Sequence, residues 1–193
     1  MTEPSTPQEP ARGGRLALTA GLSCAVVALD LWTKEWAWQN LRHKPPRIIS
    51  EGILQLDYAF NTGSAFGFLR SASWSRTFFI VITLAAVAYM TRLALTLPTR
   101  FVSGYLAVAL IVGGALGNLH DRFFRIDFQK HGVVDFLVFY YWPGKRWPAF
   151  NVADVALVAG VLLFMLYLHR YGALIEEQEA VTKAAAVAVA KTP

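Results

Sequence analysis

Apolar positions cluster along this chain in four long stretches, at about 16–38, 77–97, 101–119 and 152–171. Each approaches the roughly 20 residues that a helix needs to cross a hydrocarbon layer. The second and third stretches join through a short turn at Pro98, and the other connections are long. In the first of these, residues 53–60 alternate apolar and polar side chains as a strand does. Asn61-Thr62-Gly63-Ser64-Ala65-Phe66-Gly67 follows, with small residues that let another backbone or a bulky ligand come close. The pattern predicts a membrane protein with an all-α core of four transmembrane helices and a small β element. Residues 1–14, rich in Pro, Gly, Thr and Glu with no apolar period, read as a disordered leader. Residues 15–171 form one four-span domain. Residues 172–193 form a tail, acidic at Glu176, Glu177 and Glu179, either helical or frayed, to which no function is assigned.

Composition supports the membrane reading. The chain is 55% hydrophobic and only 16% charged, against about 25% charged for a soluble domain. The single cysteine, Cys24, excludes an internal disulfide and any multi-cysteine metal site. It lies within the first apolar stretch, far in sequence from any histidine. Charge does not settle orientation. Seven Lys and Arg residues fall with the termini and the Pro98 turn, and the remaining eleven lie at or within the long connections. A plain positive-inside count therefore places those connections in the cytoplasm.

Polar clusters interrupt this apolar chain, and they include Asp121, Asp135 and Asp154, where apolar segments begin or end. An ionisable group beside hydrocarbon costs from about 3 to more than 10 kcal/mol, so such placement points to function. Asp30 and Lys34 stand four apart on one helix face, acid first, as favours an ion pair. They lie among Trp32, Trp36 and Trp38 and should anchor that helix end while facing protein. At the end of the third stretch, Asn118, Asp121 and Arg122 fall on one helical face, and Gly113 and Gly117 form a small-xxx-small packing pair. Asp135 is embedded between Val133, Val134 and Phe136. The fourth stretch opens with Asn151 and Asp154 three apart, a spacing equally suited to a helix cap.

No G-x-S-x-G, H-E-x-x-H or G-x-x-x-x-G-K-[ST] occurs, which removes the usual serine-hydrolase, zincin and P-loop signatures. Two close carboxylates remain the economical catalyst. They cannot both ionise easily, so they share a proton, one acting as base toward water and the other as acid toward a carbonyl oxygen. Spacing alone does not decide which two of the three acids pair. His120 and His131 flank the acids and, with Asp135 or Asp154, offer three metal ligands, although the spacing matches no zinc signature. A proton- or ion-relaying carrier is the rival class, but neither internal repeats nor Gly/Pro-broken paired helices are visible.

Taken in order, Asp30-x-x-x-Lys34, Asn61-x-Gly63-x-Ala65-Phe66, Gly117-Asn118-x-x-Asp121-Arg122, Val133-Val134-Asp135-Phe136 and Phe150-Asn151-x-Ala153-Asp154 resemble the signal peptidase II family of bacterial lipoprotein signal peptidases. The resemblance covers roughly residues 16–171. It implies a four-helix aspartyl endopeptidase of the bacterial inner membrane, with both termini cytoplasmic and the active site near the outer face. An extracytoplasmic β-cradle would form from the first long connection, and a short extracytoplasmic helix from part of the second. Asp135 and Asp154 map onto the catalytic pair. Asn61, Gly63, Asn118, Arg122 and Asn151 become substrate-binding candidates. Asp30, Lys34, Asp121 and Ala153 become site-shaping ones, with Asp121 pairing locally with Arg122. The implied partners are membrane lipid and a diacylglyceryl-modified prolipoprotein substrate, cut just before its lipidated cysteine. Globomycin-type peptides would inhibit, and no metal, cofactor or nucleic acid is implied. An inactive member retained as a binding protein would carry the same residues.

Overall fold

A computed structural model describes residues 11–63 and 74–190. Four helices form as the apolar pattern predicts: α1 Arg12–Asn40, α2 Ser75–Thr96, α3 Val102–Phe124 and α4 Val152–Ala190. All four are long and apolar enough to cross a membrane. Helix α1 starts at Arg12, so Arg12, Gly13 and Gly14 of the expected leader are its first residues. Helix α4 continues unbroken through the acidic segment to Ala190, about 58 Å at 1.5 Å per residue. The Ser64-Ala65-Phe66-Gly67 part of the small-residue motif lies outside the described residues.

Helix α3 is the axis of the bundle, with 13 of its 23 residues buried, whereas α2 buries only Ser75 and Ala94. Small residues on two faces of α3 make this possible. Gly113 and Gly117 both face α1: a Cβ at Gly113 would meet Ser23 and Val26, and one at Gly117 would meet the Asp30 carboxylate. Gly114 faces α4, where a Cβ would run into the Ala153 carbonyl and Leu157. Such close backbones suit helix association in lipid, where packing and interhelical hydrogen bonds replace the hydrophobic effect. Ser23 Oγ supplies one such bond, donating to the Ala109 carbonyl at 3.0 Å.

Two cores mark the two ends of the bundle. At one end Leu97, Tyr105, Val108 and Tyr167 pack together, and Phe101 stacks on Tyr171 with ring centroids 4.1 Å apart. There Arg12 and Arg15 at the head of α1 donate to the carbonyls of Leu95, Leu97 and Thr99, at and just beyond the end of α2. A guanidinium suits such carbonyls, which lack helical partners and carry the negative end of the helix dipole.

At the other end Ala37 of α1 and Leu41 just past its end pack on Val134 and Phe136 of a small sheet. Its strands are β1 Arg47–Ser50, β2 Leu54–Asn61, β5 Val133–Trp142 and β6 Lys145–Arg146, in the order β1-β2-β5-β6. The pairings are antiparallel, with Ala59 opposite Asp135 and Asn61 opposite Val133. A separate hairpin joins β3 Ile126–Asp127 to β4 Lys130–His131. The expected strand at 53–60 is β2. The short helix expected in the second connection is not found: the described residues there form β3 to β6 and turns. The reason lies in Val133–Trp142, VVDFLVFYYW, whose β-branched and aromatic residues favour a pleated surface. The cradle thus draws strands from both connections.

Gly114→Ala should lower the thermal unfolding midpoint in detergent, at a cost of about 1–3 kcal/mol for overpacking. Gly21→Ala, where a Cβ would meet nothing within 4 Å, should be neutral or slightly stabilising, because alanine is the better helix former.

Candidate active site

The first turn of α4 fixes two of the polar side chains. Asn151 Oδ1 accepts a hydrogen bond from the Asp154 N–H, and Asp154 Oδ2 accepts one from the Asn151 N–H, each 3.0 Å. This is a reciprocal capping box with Asn at the cap and Asp three residues on. The Asn151 oxygen is thereby committed to a donor, so its NH2 points the other way. It donates to Asp135 Oδ1 at 2.7 Å, with longer bonds to Asn118 Oδ1 (3.1 Å) and the Val134 carbonyl (3.3 Å). One amide therefore ties the two acids together.

Asp135 lies on β5, 3% exposed. Its Oδ2 accepts from Asn61 Nδ2 at 3.1 Å. The Asn61 amide is oriented in turn by the Gly63 N–H, which donates to Asn61 Oδ1 at 3.0 Å. Gly63 has φ +110°, and a Cβ there would stand 3.1 Å from Ser75 Oγ, so glycine fits both the conformation and the space. Burial first, and then the negative charge of Asp154, push the Asp135 carboxyl up to about 7. Both effects penalise its ionised form.

Behind the acids stands a fully buried cation. Lys34 Nζ lies 2.7 Å from Asp30 Oδ2, 2.9 Å from Asn118 Oδ1 and 3.5 Å from Asp121 Oδ2. The Asp30–Lys34 pair faces protein, as its spacing predicts, and both side chains are fully buried. Asp30 Oδ1 also accepts from the Ala153 N–H at 2.9 Å, a second cap on α4. Asn118 Nδ2 donates to Asp154 Oδ1 at 2.8 Å. Lys34, Asn118 and Asp154 thus form one hydrogen-bonded chain from α1 through α3 to α4.

Asp121 and Arg122 do not pair with each other. Asp121 Oδ2 accepts from the Val134 N–H at 3.1 Å, and its Oδ1 lies 3.5 Å from Arg125 Nε. A turn of helix separates residues i and i+4 by one step along a face, whereas neighbours point apart. Arg122 instead bonds the Asn118 carbonyl at 3.2 Å, lies over the Phe79 ring and comes within electrostatic reach of Asp154, Asp135 and, without a direct ion pair, Asp121. His120 sits beside Asp121 and Phe124, while His131 pairs across the hairpin with Ile126. Among the described residues no three His, Cys, Asp or Glu side chains gather as a metal-binding group.

Two grooves meet at Asp154. One, of about 470 Å³, runs along α4 and is lined by Phe139, Trp147, Phe150, Val155, Val158 and Leu162. The other, of about 270 Å³, lies between α2, α3 and α4 and is lined by Ile82, Ala86, Ile111, Asn118, Arg122 and Leu157. Asp154, which Asn151 links to Asp135, is thus the acid that both largely apolar grooves reach.

Sequence reasoning missed a clamp that braces the sheet. Arg42 Nε and Nη2 grip the Asp127 carboxylate, the Tyr58 hydroxyl donates to it at 2.7 Å, and Arg42 stacks over Trp38. These contacts join residues 69 or 85 positions apart, and no local pattern signals them. Arg76 was missed likewise; its Nε donates to the Arg122 carbonyl at 2.9 Å and ties α2 to the site.

The family model for signal peptidase (SPase) II matches residues 22–170. The lipoprotein signal peptidase of Xylella fastidiosa (strain 9a5c) is 38% identical over 143 residues, covering 73% of this chain and 81% of that protein. That of Neisseria meningitidis serogroup C (strain 053442) is 36% identical over 147 residues, covering 75% and 85%. Among solved structures, a bacterial membrane enzyme determined by the in meso method at 2.3 Å superposes with a TM-score of 0.69 at 25% identity, over 81% of this chain and 90% of that one. A second, at 1.9 Å, gives 0.67 at 26% identity over 79% and 92%. With the family pattern matched across most of its length, the chain belongs to the signal peptidase II family and is a multi-pass membrane peptidase of the aspartic type.

Proposed function

We propose that the chain removes signal peptides from diacylglyceryl-modified prolipoproteins, cutting just before the lipidated cysteine, with Asp135 and Asp154 as the catalytic pair. The observation that carries this reading is the Asn151 bridge, which joins Asp135 to Asp154, the acid that lines both grooves. Both oxygens of Asp154 accept hydrogen bonds, from the Asn118 amide and the Asn151 N–H. These two bonds fix the orientation of its carboxyl group. Asp135, whose acid form is favoured by burial and by the neighbouring charge, holds the shared proton.

Asp154 takes a proton from water as the water oxygen bonds to the scissile carbonyl carbon, and Asp135 gives its proton to the carbonyl oxygen. The tetrahedral diol collapses when Asp135, now ionised, withdraws a hydroxyl proton and Asp154 protonates the leaving nitrogen. The C–N bond breaks, and the pair returns to its starting state. Arg122, Asn61 and the Gly63 backbone hold the substrate chain. The apolar groove along α4 takes the acyl chains, where each buried methylene contributes about 0.8 kcal/mol, and the groove between α2, α3 and α4 takes the end of the signal peptide. The setting is the bacterial inner membrane, with both termini and the 172–193 tail cytoplasmic and the sheet at the outer face. Globomycin-type peptides would compete for the same junction.

Asp135→Asn or Asp154→Asn should abolish cleavage of a purified diacylglyceryl-prolipoprotein by detergent-solubilised protein while leaving it folded, and EDTA should change nothing. Asp121→Asn should reduce activity less. Full activity in either of the first two variants would overturn the assignment.

The Asp135 carboxyl also links stability to pH. Its proton is held to about 7 in the fold, against an ordinary value of 3.8, so between these limits the native state binds more protons than the unfolded one. Stability should therefore fall as pH rises from about 4 to about 7 and then level off. Comparing unfolding midpoints across that range, wild type should show this slope relative to Asp135→Asn; parallel curves would refute it.

A further inference from the structure

Lys34 is the one fully buried ammonium among the described residues, and it touches neither proposed catalytic acid. An ammonium carries three donors and no acceptor. Its three neighbours, Asp30 Oδ2, Asn118 Oδ1 and Asp121 Oδ2, are all acceptors. The contact with Asn118 has a consequence for the amide. Because Lys34 can only donate, Asn118 must turn its oxygen toward α1, and its NH2 is then aimed at Asp154 Oδ1, 2.8 Å away. Rotated by half a turn, the same amide would set its oxygen against the Asp154 carboxylate and its NH2 against the ammonium. Both contacts would be repulsive, and the first would be relieved only by a proton on Asp154.

We propose that Lys34 is a positioning residue for the reaction: by fixing the Asn118 amide, its ammonium keeps Asp154 oriented to activate water. This rests on the two-aspartate reading above. The Asn151 amide reaches the same Asn118 oxygen at 3.1 Å, but it is already committed to Asp135 at 2.7 Å, so the charged donor at 2.9 Å governs the orientation. A purely structural Lys34 would tie α1 to α3 and α4 and leave turnover per folded molecule unchanged. A positioning Lys34 acts on kcat through Asn118.

The test uses the full-length protein in detergent with a diacylglyceryl-prolipoprotein, comparing wild type, Lys34→Met, Asn118→Ala and the double variant, each corrected for its folded fraction. Each single change should lower kcat about 10- to 100-fold, the usual cost of misplacing a reacting group, with KM altered by no more than about 3-fold. The double variant should be no slower than the slower single, because the two residues act as one link. Unchanged kcat in folded Lys34→Met, losses that multiply in the double variant, or a loss confined to KM would each overturn the proposal. Should Lys34→Met fail to fold, Asn118→Ala decides alone, since it leaves the Asp30–Lys34 pair and the Asp30 bond to Ala153 in place. A lowered kcat at constant KM supports the link, and wild-type kcat sinks it. The two-aspartate reading stands or falls separately, on Asp135→Asn and Asp154→Asn.

Discussion

A single buried ammonium organises the polar half of this bundle. Lys34 gathers Asp30 from its own helix and Asn118 and Asp121 from α3, and Asp30 in turn caps α4 at Ala153. Desolvating such an ion costs several kcal/mol, and only close, complete partnering offsets it. The partnering demands near contact between helices, which explains Gly117, where any side chain would strike the Asp30 carboxylate. Removing one member of a buried pair typically costs 3–5 kcal/mol because the other charge is left unpaired. Helix packing and site geometry are therefore held by the same contacts.

From that anchor the site is wired mainly by amides. Asn118, Asn151 and Asn61 each present the oxygen to a donor of fixed sense, namely Lys34, the Asp154 N–H and the Gly63 N–H. Each then directs an NH2 at a carboxylate. An asparagine offers both a donor and an acceptor, so its orientation is normally free. Here one immovable partner per amide removes the freedom. The result is two acids in dissimilar settings, one held by a capping box and one enclosed between β-branched and aromatic neighbours.

Much of this was legible in the sequence. Hydrophobic length gave the four spans, and the i, i+4 spacing of Asp30 and Lys34 gave a pair facing protein. The alternation at 53–60 gave β2. What escaped had physical reasons. Val133–Trp142 is buried along most of its first half, so it shows no alternation, and a continuous apolar run does not distinguish strand from helix. The shared face expected for Asn118, Asp121 and Arg122 does not reveal partners: Asp121 turns to Arg125 and the Val134 N–H, while Arg122 turns to Phe79. At Asn151 and Asp154 a cap does not compete with a place in the candidate site, because the capping box is what aims the Asn151 amide at Asp135. The Arg42–Asp127–Tyr58 clamp closes over long separations and leaves no local trace.

The groove along α4 opens sideways. Val155, Val158 and Leu162, which line it, are also surface residues of a helix with a spanning length. For any molecule anchored in the bilayer, the approach to Asp154 is then a search within a plane, and its frequency depends on surface density in the membrane instead of concentration in water. Such a molecule needs no extraction from lipid before it is handled, and its anchored part can leave along the same lateral path.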